Sequence, residues 1–156
     1  MKKHIKKIMA LFVVLTLMMG ISACGSEPEE IKGAATCWIE QNGVVTTMVL
    51  DAKGDTVTQI NQEAVLSLNG YSEDQIKEVE KLVSDAEAVY AGIEGVTYKA
   101  VIEDEQLIET IIIPTDTETL QSVIQAGMLP VDDENVTLLS LQSTLDNLEA
   151  AGWTVE

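Results

Sequence analysis

Arginine is absent from this 156-residue sequence, and histidine occurs once, at position 4. Without arginine there is no bidentate clamp for phosphate or carboxylate. Without histidine beyond His4, the commonest general base near neutral pH is missing. Ser-His-Asp triads, Cys-His pairs and histidine metal ligands go with it. Glycine-rich phosphate loops of the usual spacing are absent too. Aromatic residues are scarce at 4%, and Phe12 is the single phenylalanine. Positive charge is also in short supply: 9 Lys stand against 26 Asp and Glu, for a net charge of −17. That balance argues against nucleic acid as a partner, because phosphate contacts need clustered Lys and Arg. The longest apolar stretch, Ile8 to Met19 with Thr16 inside it, has 12 residues. A membrane-spanning helix needs roughly 20.

What is present divides sharply. The charges before residue 24 are Lys2, Lys3, Lys6 and Lys7, and the first acid is Glu27. Basic start, short apolar run and the small residues Gly20, Ser22 and Ala23 make residues 1–23 a secretory signal peptide. Its ending, Ile21-Ser22-Ala23-Cys24, resembles a bacterial lipobox. The resemblance implies that the Cys24 sulfur accepts a diacylglyceryl group and that cleavage leaves Cys24 first in the mature chain. The expected location is therefore the bacterial cell membrane, lipid-anchored on the extracytoplasmic face.

Removing residues 1–23 leaves Lys32, Lys53, Lys77, Lys81 and Lys99 against all 26 acids, a charge of −21. With Cys24 lipidated, Cys37 has no intrachain disulfide partner. Trp38 and Ile39 beside it suggest strand packing, so Cys37 is expected to be a small core residue. Residues 24–33, rich in Glu with Gly, Ser and Pro, read as a flexible acidic tether. Residues 34–156 are expected to form one domain.

Three strands open that domain: Ala34 to Glu40, Val44 to Leu50 and Thr56 to Leu66. Asn42-Gly43 between the first two is the dipeptide favoured where both turn residues need positive φ. Ser72 and Gln75 fit a capping box, and Ile76, Val79, Val83, Ala86 and Tyr90 form one apolar stripe, predicting a helix to about Ala91. Strands follow at Val96 to Ile102 and Leu107 to Ile113, ended by Pro114. Leu120 to Ala126 reads as a short helix and Asp132 to Asn135 as a loop. Ser140 caps a last helix through Ala151, stopped by Gly152. The expected fold is α+β: an antiparallel sheet of about five strands, in the order three strands, helix, two strands, two helices, with helices packed on one face.

Three segments in this order are familiar. Lys53-Gly54-Asp55-Thr56-Val57, Gly92-Ile93-Glu94-Gly95-Val96-Thr97-Tyr98 and Ala151-Gly152-Trp153 resemble those of the YehR-like family of small bacterial lipoproteins of uncharacterised function. The resemblance covers about Cys37 to Trp153. It implies an α+β fold and an envelope location, and it carries no catalytic residues, cofactor or metal ligands.

Trp38, Tyr98 and Trp153 are the candidate ligand or contact surface. Trp38 falls on the opposite strand face from Cys37 and Ile39, which predicts an exposed aromatic. No catalytic residue, cofactor or metal site is assigned. The expected function is a non-catalytic envelope interaction or accessory module, with the membrane and an envelope protein as partners. A small-ligand or cation-binding lipoprotein is the alternative, and a carboxylate-based hydrolase ranks below it.

Overall fold

The computed structural model describes residues 27–129 and 135–156. The leader, Cys24 and most of the acidic loop at 132–134 lie outside the described residues. Strands β1 (Glu30–Gln41), β2 (Val44–Lys53) and β3 (Thr56–Ser67) come first, then helix α1 (Glu73–Tyr90). Next are β4 (Thr97–Glu103), β5 (Gln106–Pro114) and α2 (Thr117–Gln125). The chain closes with β6 (Leu139–Ser140), α3 (Leu141–Ala150) and β7 (Thr154–Val155).

The first three strands form the expected antiparallel meander. Asn42 and Gly43 turn β1 into β2 with φ of 55° and 81°, the left-handed pair a tight hairpin requires. The sheet then departs from sequence order, running β4-β5-β3-β2-β1-β7, with β6 pairing β3. All pairings are antiparallel. Among the described residues, the expectation of about five strands is thus corrected to seven. β6 and β7 have two residues each, too short for any period to be read. Tertiary contacts hold them: Thr56 and Val57 pair with β6, and Cys37 and Trp38 pair with β7.

The acidic start also needs correction. Glu30 to Gly33 belong to β1, with Glu30 opposite Lys53 and Ile31 opposite Ala52. The register shifts between Ile31 and Ala35, and Gly33 sits there at φ 63°. Asp51 holds this bulge: its carboxylate accepts from the Gly33 amide at 2.9 Å and pairs with Lys32 at 3.0 Å. Composition reads this stretch as flexible, but two long-range bonds order it.

Helix starts follow their caps. Ser72 and Gln75 make the reciprocal capping box at α1. Asp116 caps α2 three residues earlier than apolar spacing suggests, accepting from the Thr119 amide at 3.0 Å. Ser140 caps α3, accepting from the Ser143 amide at 3.2 Å. Asp55, from the β2–β3 turn, adds a second cap there by accepting from Ser140 at 2.7 Å and from the Gln142 amide at 2.9 Å.

Strand parity separates the two sheet faces. Cys37, Ile39, Met48, Leu50, Ile60, Ile111 and Ile113 face the helices and are buried with Ala86, Tyr90, Leu120, Val123 and Leu148. Val44, Leu66, Leu68, Val79 and Leu107 form a second cluster under the start of α1. On the opposite parity, three rows cross five strands: Glu40-Val45-Val65-Ile108-Val101, Trp38-Thr47-Glu63-Thr110-Lys99 and Thr36-Val49-Asn61-Ile112-Thr97. None of these fifteen residues is buried. The helices therefore cover one face and leave the other open, as antiparallel sheets permit.

Candidate functional site

Trp38, Tyr98 and Trp153 are not brought together. Trp38 lies on β1 on the open sheet face and is 41% exposed, as its parity opposite Cys37 and Ile39 predicts. Val45 and Val49 are its diagonal neighbours on β2, flanking Thr47 directly opposite. Val45 is also exposed, and Val65, Ile108, Val101 and Ile112 extend the apolar surface as half-buried residues. Glu40, Glu63, Glu103 and Lys99 supply its exposed charges. Among the described residues, Lys32, Lys53, Lys77 and Lys81 are each paired with an acid. The field over this face is therefore negative.

Trp153 corrects the sequence reading. It is 4% exposed and belongs to the main core cluster, so it offers no contact surface. Gly152 at φ 91° ends α3 in the left-handed conformation, and the Trp153 amide donates to the Leu148 carbonyl at 2.9 Å. That turn folds the indole under the sheet edge held by β7.

Tyr98 lies near the other sheet edge, on β4, and faces the helices. Its ring stacks on Tyr90 of α1, with centroids 4.8 Å apart and planes 10° from parallel. Its hydroxyl donates to the Glu109 carboxylate. Burial and the adjacent Glu109 charge push both phenols well above their ordinary range, so both are neutral donors at physiological pH. Glu109, Gln62 and Thr46 share this sheet face. The sequence reading did not single them out, although a signal was present. Gln62 interrupts the alternation of Ile60, Ala64 and Leu66, and Glu109 interrupts Leu107, Ile111 and Ile113.

Two other polar features are structural. Burial would raise the Asp51 carboxyl, but the Gly33 amide, Lys32 and Asn61 outweigh it and hold the group below its ordinary value. Asp116, Thr117, Glu118, Gln121, Ser122 and Gln125 line an open hollow made from one side of α2. The Gln121 amide there is bonded to the Val136 carbonyl at 2.6 Å. No described helix is long and apolar enough to cross a membrane.

Comparison with known proteins agrees with this architecture. The chain is 24% identical over 151 residues to an uncharacterized lipoprotein of Listeria monocytogenes, covering 97% of this chain and 96% of that one. It is 27% identical over 109 residues to an uncharacterized lipoprotein of Listeria innocua, covering 70% and 69%. The solution structure of the Escherichia coli YehR protein superposes with a TM-score of 0.61 at 19% identity, over 82% of this chain and 91% of that one. A Streptococcus pneumoniae protein superposes with a TM-score of 0.52 at 12% identity, over 89% and 92%. These two likenesses concern the fold, and the resemblance to YehR-like lipoproteins stands. The family model of DUF1307, a protein of unknown function, matches residues 34–154, and the chain belongs to that family.

Proposed function

We propose that this chain is a lipid-anchored extracytoplasmic protein that acts without catalysis, by holding another envelope protein against its open sheet face. The observation that carries the reading is the face itself. Five strands present Trp38, one apolar row of Val45, Val65, Ile108 and Val101, and Val49 and Ile112 on the other side of Trp38's row, with no helix over them, while the opposite face buries the core. An exposed aromatic set among β-branched residues is the composition of a contact surface.

Charge selects the occupant. A second copy would bring an equally acidic domain, and an anionic membrane surface would repel it as well. A protein with a basic surface is the complementary partner. Anchoring at Cys24 is supported by the leader composition and by the two Listeria relatives described as lipoproteins. Glu27 already pairs with Lys53 at 3.4 Å, so the described domain begins within three residues of Cys24.

The test is affinity isolation of the anchored protein from membranes. The wild type should retain one basic envelope protein, released as salt is raised. Trp38→Ala combined with Ile108→Glu should lose it while remaining folded and membrane-bound. Retention of the same proteins by wild type and double variant would sink the proposal. Intact mass of the isolated protein gives a separate check on the anchor: it should begin at Cys24 and carry diacylglyceryl.

A further inference from the structure

The two edges of the sheet are built differently. At one edge, β7 pairs Cys37 and Trp38 of β1, and the register shift at Gly33 interrupts the rest of that strand. Covering strands and bulges keep an edge from pairing further. β4, at the other edge, has neither among the described residues. Its seven residues contain no proline or glycine, and they pair β5 without a shift from Thr97 opposite Ile112 to Glu103 opposite Gln106. Parity fixes which backbone groups face out. Glu103 and Gln106 flank a two-residue turn and so form a hydrogen-bonded pair, as do Val101, Lys99 and Thr97 with their opposites. The N–H and C=O groups of Tyr98, Ala100 and Ile102 therefore point away from β5, and no other backbone bond among the described residues takes them up.

Side chains leave this edge uncovered as well. Val79, near the start of α1, clusters with Leu66 of β3 and Leu107 of β5, while Tyr90 at the helix end stacks on Tyr98 of β4. The helix thus crosses the sheet at a slant, and its start stands back from the end of β4. Ile102, on the helix-facing side there, is left 41% exposed. On the open face, Lys99 and Glu103 are exposed, with half-buried Val101 between them. None of the ion pairs among the described residues involves Lys99 or Glu103.

This arrangement is self-complementary. Two copies of β4, antiparallel about a two-fold axis at Val101, oppose Lys99 of each to Glu103 of the other. The same register opposes Ala100 to Ile102, so their outward backbone groups bond across the junction and each Ile102 gains an apolar neighbour. Val101 meets its own counterpart, and the row Val45-Val65-Ile108-Val101 runs on into the second copy. We propose that the protein pairs with a second copy of itself edge to edge through β4, forming one continuous antiparallel sheet. The junction is isologous, with the axis perpendicular to the sheet. Both helix layers then lie on one side and both open faces on the other.

Charge is compatible with this occupant at the edge, though not across the open face. Stacking two open faces would confront Glu40 and Glu63 with a second acidic surface. β4 itself carries one Lys and one Glu, and repulsion between exposed charges farther apart than about 8 Å is largely screened at physiological salt. β1, the first strand of the chain, is at the other end of the sheet from β4, so the N-terminal end of each copy stays clear of the junction. The open faces remain free side by side, so the pairing is independent of what they hold.

The test is disulfide trapping of the full-length protein in isolated membranes, where Cys37 is buried and out of reach. Val101→Cys should give a disulfide-linked dimer on mild oxidation, because the two Cα atoms stand about 4.5 Å apart in a non-hydrogen-bonded pair. Thr97→Cys, at the far end of the strand, and Val65→Cys, in the middle of the open face, should not. Lys99→Glu added to Val101→Cys should lower the dimer yield at least about fivefold by setting like charges opposite, and Glu103→Lys added to both should restore it. In the wild type, zero-length carbodiimide crosslinking should join Lys99 to Glu103 in a dimer band. Within one chain these residues lie roughly 13 Å apart along the strand, beyond such a link. Equal dimer yields from all three cysteine positions, or none from Val101→Cys, would overturn the proposal. So would a yield indifferent to charge reversal, or the absence of the Lys99–Glu103 link should Val101→Cys fail to fold.

Discussion

Cys37 is fully buried under the helices, and burial, with the Glu149 charge adding, pushes its thiol up to about 11. A neutral, enclosed thiol is a poor nucleophile. Maleimide labelling of folded protein should therefore be slow and track unfolding, while labelling in urea is immediate; rapid labelling of the native form would contradict the burial. The sign of its pH dependence follows. The fold prefers the protonated thiol, so this contribution is complete below about pH 9, the ordinary value, and is lost as pH rises toward 11. Gly95 is the other residue whose environment dictates its identity. It sits at φ 86°, and a Cβ there would lie 2.5 Å from the Thr119 hydroxyl oxygen. Gly95→Ala should cost about 1–2 kcal/mol from the left-handed backbone alone, and more from the clash; an unchanged urea midpoint would refute this. Gly95 belongs to one of the three segments that resemble the YehR-like family. Lys53-Gly54-Asp55 similarly docks α3, and Gly152-Trp153 folds back into the core. The segments that carry the resemblance thus explain the fold, which is why they named a family without naming an activity.

At the scale of elements, the β4–β5 hairpin stores strain. Its two turn residues, Asp104 and Glu105, both take positive φ, 48° and 60°, with neither a glycine nor an asparagine. Glu105→Gly should therefore raise stability by about 0.5–1 kcal/mol, read as a higher urea midpoint; a lower midpoint would show that the Glu105 side chain contributes more than its backbone costs. Elements with local signals were legible in the sequence. Asn42-Gly43, the Ser72–Gln75 box, Ser140 and the stripe from Ile76 to Tyr90 each encode their element within a few residues. β6 and β7 were not, because two residues carry no period and their partners lie far along the chain. Glu30 to Gly33 misled for the same reason. Their order depends on Asp51, eighteen residues beyond Gly33.

For the whole molecule, charge sets both stability and contact. The Asp51 carboxyl is held below its ordinary value of 3.8 in the fold. Its contribution is therefore present above about pH 4 and lost as pH falls below it. The difference in urea midpoint between wild type and Asp51→Asn should be constant from pH 5 to 8 and close on further acidification; a difference that persists at pH 2 would mean that packing, not charge, is lost in the variant. The candidate sites were legible to different degrees. Trp38 could be placed on the open face because parity along one strand was enough. Trp153 could not, since its burial depends on the turn after α3 and on the pairing of β7. The central claim is that the open face around Trp38 meets a protein partner, and in-cell photo-crosslinking tests it most directly. A photoreactive amino acid would replace Trp38 or Val65 on that face, or Glu78 or Gln142 on the helices. The account predicts one shared basic envelope protein crosslinked from Trp38 and Val65, sensitive to salt, and absent from Glu78 and Gln142. The same adducts from all four positions, or adducts from the helix positions alone, would contradict it.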